Sequence, residues 1–246
     1  MEKHYLTPLF SPETVAVFAG DCEDDAHLTS QAKALHEALR AQRYTGRLVF
    51  VDLQKTTGSL ADLVQTRADL AVIALPAADV AAALEVAGRM ACRAAMIVSS
   101  GIGPDLATQL KKIAHREGMY LLGPNSLGLQ RPALQLNASA AGPLARTGSL
   151  ALVSQSGALT ASILDWARNN AVGFSSVVSL GPNTDIDIAQ VLDFLANDPQ
   201  THSIVVYMEG ITSARAFMSA LRSAANAKPV VVLKAGRKPA GNEAAQ

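Results

Sequence analysis

A short segment near the middle of the chain combines residue types that bind anions. The mostly apolar run Ser149–Val153 has the character of a buried strand, and after the next few residues apolar side chains recur at helical spacing. The first turn of such a helix offers unpaired N–H groups and the positive end of the helix dipole, and serine hydroxyls can donate to a phosphate oxygen. The residues predicted to bind phosphate are Ser154, Gln155, Ser156 and Gly157.

Two other interpretations of this segment stay open. Serine is a favoured N-cap, so Ser156 could cap its helix and bind no anion. A serine hydrolase would need a glycine at the position of Ser154, and His202 is the only downstream histidine that could act as its base. Because His202 stands at the start of a predicted strand, the hydrolase is the weaker of the two alternatives.

The turn after the first predicted strand differs from a dinucleotide-binding turn. Gly20 is followed by four carboxylates within residues 21–25. One glycine cannot provide the tight turn, the close backbone approach and the helix packing together, and carboxylates repel a polyphosphate. We therefore expect a solvated acidic loop that no longer makes the usual backbone contacts with a bound phosphate. An NAD site would use Asp52, but its glycines are missing and its spacing from Gly20 is too long.

Further candidates follow other predicted strands. Pro76 lies at the carboxyl end of the third strand, and Ser99 and Gly101 lie at that of the fourth. These residues either line a cleft at the carboxyl edge of a sheet or only turn the chain. Glu209 follows an apolar strand and is predicted to lie at the same edge as Ser154. A carboxylate there could orient a histidine or hold a cation, or it could belong to an ordinary surface turn.

Strand and helix patterns alternate from Thr14 onward, which is typical of βαβ units on a parallel sheet. Residues 130–147 break this alternation with two prolines and predict a connector between domain 1–129 and domain 148–246, the second ending after four strands. Asp185 is predicted to cap a helix in the second domain. The predicted strands are Thr14–Ala19, Arg47–Leu53, Asp69–Leu75, Ala94–Ser99, Met119–Leu122, Ser149–Val153, Ser175–Ser179, Ser203–Met208 and Pro229–Lys234.

Composition excludes several classes of function. The 246 residues carry a formal net charge of zero and no basic stripe, which argues against nucleic acid as the main partner. No apolar run approaches the roughly 20 residues of a membrane span, and the N-terminus lacks a signal core, so a cytoplasmic protein without a membrane partner is expected. Cys22 and Cys92 form neither a disulfide framework nor a metal-ligand spacing, and we expect a loop residue and a core thiol respectively.

Several motifs resemble the α-subunit-like half of the NDP-forming (ADP-forming) acyl-CoA synthetases, the superfamily that includes succinyl-CoA ligase. They occupy residues 121–128, 153–157, 179–187, 198–201 and 207–209. Within this superfamily, the chain is most similar to the subgroup in which this region is fused to a GNAT-type acetyltransferase domain and the whole protein acetylates protein lysines. The motifs similar to that subgroup lie at residues 136–139, 163–167 and 192–196.

The resemblance implies an α/β protein with a Rossmann-type CoA-binding domain followed by a truncated flavodoxin-like domain. It implies that the helix start at Ser154–Gly157 holds the phosphate of a phosphohistidine and that Glu209 is the catalytic carboxylate that steadies this histidine. It also places Pro124 and Asn125 near the thiol end of coenzyme A or acetyl-CoA. The predicted CoA-binding residues are Gly20, Pro76, Ser99, Gly101, Pro124 and Asn125.

Two departures from the family pattern shape the expected function. The acidic loop after Gly20 replaces a glycine-rich turn, and the relay histidine, expected shortly after residues 234–241, is not reached. The acidic loop and the subgroup motifs favour a region that binds or senses acetyl-CoA and regulates a fused acetyltransferase and its protein substrates. Without the relay histidine, the region is not expected to be catalytically complete alone. The alternative is the catalytic α-type part of an ADP-forming acetyl- or acyl-CoA synthetase with a phosphohistidine relay. ADP or ATP would bind a downstream nucleotide-grasp domain, and assembly of copies of this chain stays open.

Overall fold

The computed structural model describes residues 4–20, 28–53, 66–181 and 185–235. Within these ranges the strands form a five-stranded sheet in the first part of the chain and a six-stranded sheet in the second. Helices pack on the sheets, because six of these strands are each followed along the chain by a segment whose apolar side chains recur at helical spacing.

The first sheet is entirely parallel, with the order β2-β1-β3-β4-β5. All residues of β3 and β4 are buried, because helices cover both faces of a parallel sheet. The direction of the strand order changes between β1 and β3, and in open α/β sheets ligands bind at the carboxyl ends beside such a point. The strands are β1 Thr14–Phe18, β2 Arg47–Phe50, β3 Leu70–Ile73, β4 Ala94–Ile97 and β5 Tyr120–Leu122, and the helices are α1 Thr7–Phe10, α2 Ser30–Arg40, α3 Val80–Arg89 and α4 Pro104–Arg116.

The second sheet is mixed, with the order β11-β10-β8-β9-β6-β7. Strands β8 to β11 are parallel, whereas β6 runs antiparallel to both β9 and β7. The strands are β6 Gly128–Arg131, β7 Leu136–Ser139, β8 Arg146–Ser154, β9 Gly173–Ser179, β10 Ser203–Met208 and β11 Val230–Lys234, and the helices are α5 Gly157–Asn169, α6 Ile188–Asn197 and α7 Ala214–Ala227.

The predicted α/β fold class is confirmed, and every predicted strand is present, with its ends displaced by at most three residues. The hairpin of β6 and β7 was not predicted. The hairpin begins two residues before the segment expected to connect the two domains and continues into it. It joins the second sheet through the pairing of β6 with β9. Its partner strand is more than 40 residues away and the hairpin itself is rich in small and polar residues, so no local periodicity marks it. The domain boundaries themselves remain a prediction.

The helix that follows β9 begins later than predicted. Its N-cap is Asp187, whose Oδ1 accepts from the Gln190 amide at 3.0 Å while the Gln190 side chain accepts from the Asp187 amide at 2.9 Å. This reciprocal pair is a capping box. Asp185, the predicted cap, instead accepts a hydrogen bond from His115 of α4 at 2.9 Å.

Two expectations drawn from composition can be compared with the structure. Cys92 is buried, and burial, followed by the nearby charge of Asp69, raises the pKa of its thiol to about 12, as suits a core thiol. Cys22 and the acidic residues 21–25 lie outside the described residues. In the described ranges, no helix combines the length and the apolar character needed to cross a lipid bilayer.

The N-terminal helix α1 packs against the second half of the chain. The rings of Phe10 and Phe194 stack with their centroids 4.1 Å apart, so α1 lies on α6. His4 Nε2 is 3.1 Å from Asp193 Oδ2 on the same helix. Leu6 and Leu9 are fully buried and belong to one apolar cluster that includes residues of both sheets. The two halves of the chain therefore share a core.

A buried ion pair lies at the centre of this shared core. Arg131 of β6 and Asp198 at the end of α6 are 2 % and 4 % exposed, and Nη1 donates to Asp198 Oδ2 at 2.8 Å. The same guanidinium donates to Ser176 of β9 and to Gln200, and it lies over the Phe10 ring. One side chain thus joins α1, two strands and the loop after α6.

Asp198 is held in its ionised form by this network. Burial by itself raises the pKa of the carboxyl group, but the hydrogen bond and charge of Arg131, helped by Thr201 and the Gln200 amide, outweigh burial and leave the pKa below its ordinary value. The charged pair is therefore the stable form of this core at neutral pH.

Replacing Arg131 should strongly destabilise the protein. In Arg131→Ala, Asp198 keeps its burial but loses its charge partner, and we expect the free energy of unfolding to fall by about 3–5 kcal/mol. Urea denaturation followed by circular dichroism measures this change. The matched control is Arg168→Ala, because Arg168 forms an exposed pair with Asp165 at 3.2 Å and its loss should cost no more than about 0.5 kcal/mol. Equal effects of the two substitutions would contradict a central role for the buried pair.

The same pair should make stability depend on pH. Asp198 has a folded-state pKa below the value of about 3.9 expected when unfolded, so its ionisation stabilises the fold fully above that value, and this stabilisation is lost as the pH falls through the folded-state pKa. Asp198→Asn removes the titrating group. We expect its destabilisation relative to wild type, measured by urea denaturation, to be largest near pH 7 and to shrink below about pH 4. A constant difference across this range would be inconsistent with the depressed pKa.

Candidate functional site

The helix start predicted to bind phosphate lies at the carboxyl edge of the second sheet. Strand β8 ends at Ser154 and helix α5 begins at Gly157. Ser156 is the N-cap, and its Oγ accepts from the Leu159 amide at 3.4 Å. The other N–H groups of the first helical turn keep no partner within the helix and carry the positive end of its dipole. The geometry suits an anion at this position.

Ser154 forms hydrogen bonds inside the turn itself. Its side chain is fully buried, and its Oγ donates to the Ser156 carbonyl at 2.9 Å and accepts from the Ser156 amide at 3.1 Å. Because a hydroxyl has one proton to donate, this proton is already used inside the turn. Ser154 therefore shapes the turn that presents Ser156 and Gly157, and direct phosphate binding by its side chain stays a prediction.

Gln155 ties the helix start to the neighbouring strand. Its amide donates to the Tyr207 carbonyl at 3.1 Å, and its side-chain Oε1 accepts from the backbone amides of Glu209 at 2.7 Å and Gly210 at 3.1 Å. A cleft of about 20 Å³ lies beside Gln155, where α6 and α7 begin. Described residues that line it are Gln155, Asp187, Ile188, Ala189, Gly210, Ile211, Thr212, Ser213 and Phe217.

Glu209, the predicted catalytic carboxylate, lies at the same edge as the helix start. Tyr207 pairs with Ser154 in the register of β10 and β8, so Glu209 stands just beyond the end of β10. Its side chain is exposed, and its carbonyl oxygen accepts from Lys234 Nζ at 2.9 Å. The structure therefore brings Glu209 and the helix start to one edge.

His202 lies at the opposite edge of this sheet. Its amide donates to the Ser149 carbonyl, and the next residue, Ser203, pairs with Leu150 near the beginning of the sheet register. Ser154 is four residues further along β8, a distance of about 13 Å at the rise of a strand. His202 is too far to act as a base for Ser154 or Ser156, which removes the serine-hydrolase alternative.

The residues predicted to bind CoA in the first half lie at the carboxyl edge of the first sheet. Gly20 follows β1 with φ +74°, and Pro76 is exposed after β3. Ser99 follows β4, is buried, and donates to the Leu75 carbonyl at 2.6 Å. Gly101 has φ +75° and open space where a Cβ would stand. These residues lie along one edge, and Ser99 links the ends of two strands.

Two polar residues at this edge were missed by the sequence analysis. Thr29 caps α2 by accepting from the Ala32 amide at 3.1 Å, and its Oγ1 donates to the Ala74 carbonyl beyond β3 at 3.3 Å. Gln31 Nε2 donates to Ser100 Oγ at 2.8 Å. No cap was predicted for this helix. A threonine directly before a helical pattern was the available signal.

Asn125 attaches the turn after β5 to the first sheet. Its side chain donates to the Ile102 carbonyl at 2.9 Å and accepts from the Ile102 amide at 3.2 Å. Its own amide donates to the Ser99 carbonyl at 3.1 Å. Asn125 has φ +58°, a conformation that asparagine tolerates better than most residues. Asn125 and Pro124, both predicted to lie near a CoA thiol, are thus fixed beside Ser99.

The next residues of this turn attach it to the second sheet. Buried Ser126 donates to the Ser179 carbonyl at the end of β9 and accepts from the Gly128 amide at 2.8 Å. A Cβ at Gly157 would be 3.1 Å from Leu127 Cγ, so Leu127 packs on the start of α5. We call residues 123–128 the bridging turn, because it contacts both candidate sites.

The described part of the chain contains no group of side chains that could bind a metal ion. No cluster of three or more histidine, cysteine, aspartate or glutamate side chains could hold a metal ion there.

Comparison with known proteins relates the second half of the chain to one family. Residues 147–246 match the family described as "Succinyl-CoA ligase like flavodoxin domain". This match covers β8 to β11 and the helix start at Ser156.

Curated relatives and solved structures extend the similarity to nearly the whole chain. Acetate–CoA ligase [ADP-forming] I of Archaeoglobus fulgidus is 40% identical over 183 residues, 72% of this chain and 27% of that protein. The α subunit of acetate–CoA ligase [ADP-forming] I of Pyrococcus furiosus is 33% identical over 98% of this chain and 54% of its own length. The dinucleotide-forming acetyl-coenzyme A synthetase 1 of Ca. Korarchaeum cryptofilum, solved with phosphate and ADP, superposes with a TM-score of 0.84 at 28% identity, over 95% of this chain and 52% of that one. This chain therefore spans from about a quarter to about half of these proteins.

Contact between the bridging turn and the second sheet can be tested at Gly181. It has φ +73°, and a Cβ there would be 2.8 Å from the Pro124 carbonyl oxygen and 2.9 Å from that of Asn125. Gly118 has the same φ with open space around it, so Gly118→Ala should cost only the left-handed conformation, about 1–2 kcal/mol. Gly181→Ala should cost at least about 1 kcal/mol more, because the turn must move. Thermal and urea denaturation compare the two variants, and equal losses would argue against close contact.

Proposed function

We propose that this chain, an α-subunit-like region similar to that of the ADP-forming acetyl-CoA synthetases and the succinyl-CoA ligases, binds phosphate and the thiol end of an acyl-CoA at adjacent places. In the longer protein it would carry the acyl-transfer half of reversible acyl-CoA formation. The similar proteins named above are acetate–CoA ligases and an acetyl-CoA synthetase, so acetyl-CoA is the first substrate to test.

The observation that carries this proposal is the bridging turn. Asn125 is hydrogen-bonded to the loop after β4 at the edge of the first sheet, and Leu127 packs on the start of α5 at the edge of the second. A thioester near Pro124 and Asn125 would therefore be close to a phosphate bound at the helix start, because Leu127, two residues after Asn125, packs on that helix start. Phosphate and acyl-CoA must meet in this way for one to react with the other.

The proposed reaction uses the chain's groups in distinct ways. A phosphate oxygen attacks the thioester carbonyl carbon, the carbon–sulfur bond breaks, and acyl phosphate forms while the CoA thiolate leaves and takes up a proton. The N–H groups of the first turn of α5 bind the negatively charged phosphate, and Ser156 keeps that turn in place. Glu209 would steady the group that next receives the phosphoryl group, a histidine in the family, before ADP. ADP, ATP and the domain that binds them belong to this proposal for the whole protein.

A regulatory function is the second candidate. The four carboxylates within residues 21–25 favour it, because they oppose the usual phosphate contact of a bound CoA. In that case the region would sense acetyl-CoA for a fused acetyltransferase and would not turn over. The named relatives are ligases, which favours the catalytic function. Reading the remainder of the parent protein for a relay histidine or an acetyltransferase domain separates the two.

Phosphate binding can be tested by changing charge at Ser156 without losing the cap. Asp and Asn are both as good N-caps as Ser, so Ser156→Asp and Ser156→Asn should keep the helix start. Only the aspartate adds a negative charge within a few ångströms of the bound anion, which is repulsive by several times RT at intermediate dielectric. We expect Ser156→Asp to weaken inorganic phosphate binding at least about tenfold, and Ser156→Asn to change it by less than about threefold. Calorimetry or ³¹P NMR titration of this chain measures both.

The outcomes separate the proposal from its alternatives. Wild-type protein that binds no phosphate at about 10 mM, or equal affinities for the aspartate and asparagine variants, would count against a phosphate site at this helix. In the intact protein, phosphate-dependent release of CoA from acetyl-CoA should be lost in Ser156→Asp and kept in Ser156→Asn. Acetyl-CoA binding without any release would favour the regulatory function instead.

A further inference from the structure

The loop that carries Glu209 is held by side chains from the strands on both sides. From β8, Gln155 Oε1 accepts the backbone N–H of Glu209 at 2.7 Å and that of Gly210 at 3.1 Å. From β11, Lys234 Nζ donates to the Glu209 carbonyl at 2.9 Å. Both polar groups of the Glu209 main chain are therefore bonded to side chains of neighbouring strands.

Lys234 is itself fixed at the end of its strand. Its Nζ also donates to the Ala235 carbonyl at 2.7 Å, and the Ala235 amide donates to the Met208 carbonyl at 2.9 Å. Met208 and Lys234 pair in the register of β10 and β11. The ammonium group thus connects the chain after β11 to the chain after β10, one residue beyond the last paired positions.

The stability of an exposed loop does not require these side-chain hydrogen bonds. Glu209, Gly210 and Lys234 are all exposed, so water could replace each of these hydrogen bonds. Exposed lysine side chains usually keep their rotamer freedom, which this one gives up to hold a backbone carbonyl. The groups that are held belong to the one carboxylate residue that follows β10 at the edge where α5 begins. The contacts fix the place from which the Glu209 side chain projects and leave its carboxylate exposed.

We propose that Gln155 and Lys234 are positioning residues for Glu209, and this inference rests on the proposed function. Together they clamp the Glu209 main chain relative to the start of α5. The strands that hold the Glu209 main chain then determine the distance between its carboxylate and a phosphate bound at α5. In a loop without these hydrogen bonds, this distance would vary. Displacement of a reacting geometry by about 1 Å can lower a rate about 100-fold, which is the reason such a clamp matters for turnover.

The clamp itself can be tested on this chain without any activity. Gln155→Leu removes the acceptor for two amides, and we expect the N–H groups of Glu209 and Gly210 to exchange with deuterium at least about tenfold faster by NMR, while the β8 amides stay protected. Lys112→Met is the matched control, since Lys112 is an exposed lysine on α4, and it should change neither rate. Unchanged exchange at Glu209 and Gly210 in Gln155→Leu would overturn the clamp.

Positioning is tested by kinetics of acyl-CoA formation in the intact protein. Gln155→Leu and Lys234→Met should lower kcat about 10- to 100-fold and leave KM for CoA within about threefold, because they displace a group that acts in the transition state. Lys234→Arg retains donors for the Glu209 carbonyl and should recover much of kcat, and Lys112→Met should match wild type.

The two proposals fail in distinguishable ways. If wild type forms acyl-CoA and both clamp variants keep kcat within twofold, the positioning role is wrong and the proposed function stands. If the intact wild-type protein forms no acyl-CoA, the proposed function is overturned and the role of the clamp in turnover falls with it. The exchange rates still decide whether Gln155 holds the Glu209 loop.

Discussion

The buried pair of Arg131 and Asp198 is the interaction on which the packing of the second sheet against α6 and the N-terminal helix α1 depends. Its guanidinium connects β6 to β9, to the end of α6 and to the Phe10 ring of the N-terminal helix. Burying two charges is costly, so the pair stabilises the fold only as long as both partners and their hydrogen bonds are present. It also specifies one arrangement, because an apolar side chain at 131 could pack in many ways but could not hold Asp198.

The bridging turn holds the carboxyl edges of the two sheets next to each other. Strand β6, which carries Arg131, begins where the bridging turn ends, so the turn leads directly from the first sheet into the second. Asn125 is bonded to the first sheet, and Ser126 to the second. Two candidate sites that are separate in sequence become neighbours because a single six-residue turn contacts both of them. The proposed meeting of phosphate and thioester depends on this short connection.

The three polar residues at the helix start make different hydrogen bonds, which their residue types alone do not predict. Ser154 uses its hydroxyl inside the turn, Ser156 caps α5, and Gln155 reaches sideways to the loop of Glu209. The Ser156 hydroxyl proton and the backbone N–H groups of Gly157 and Ala158 are left to face an anion.

The sequence by itself determined the α/β class, nine of the eleven strands in the described residues and the helix start at Ser156, because alternating apolar runs and an N-cap serine are local signals. It also identified which residues follow the strands, and these residues lie at one edge because the strands are parallel. Only the tertiary structure decided that the segment around Pro132 forms a hairpin in the second sheet, that Arg131 and Asp198 pair, and that Lys234 and Gln155 hold Glu209. The pairing of β6 with β9, the ion pair and the contacts of Glu209 join residues at least 25 positions apart. They depend on how the strands are ordered in the sheet, which local patterns do not record.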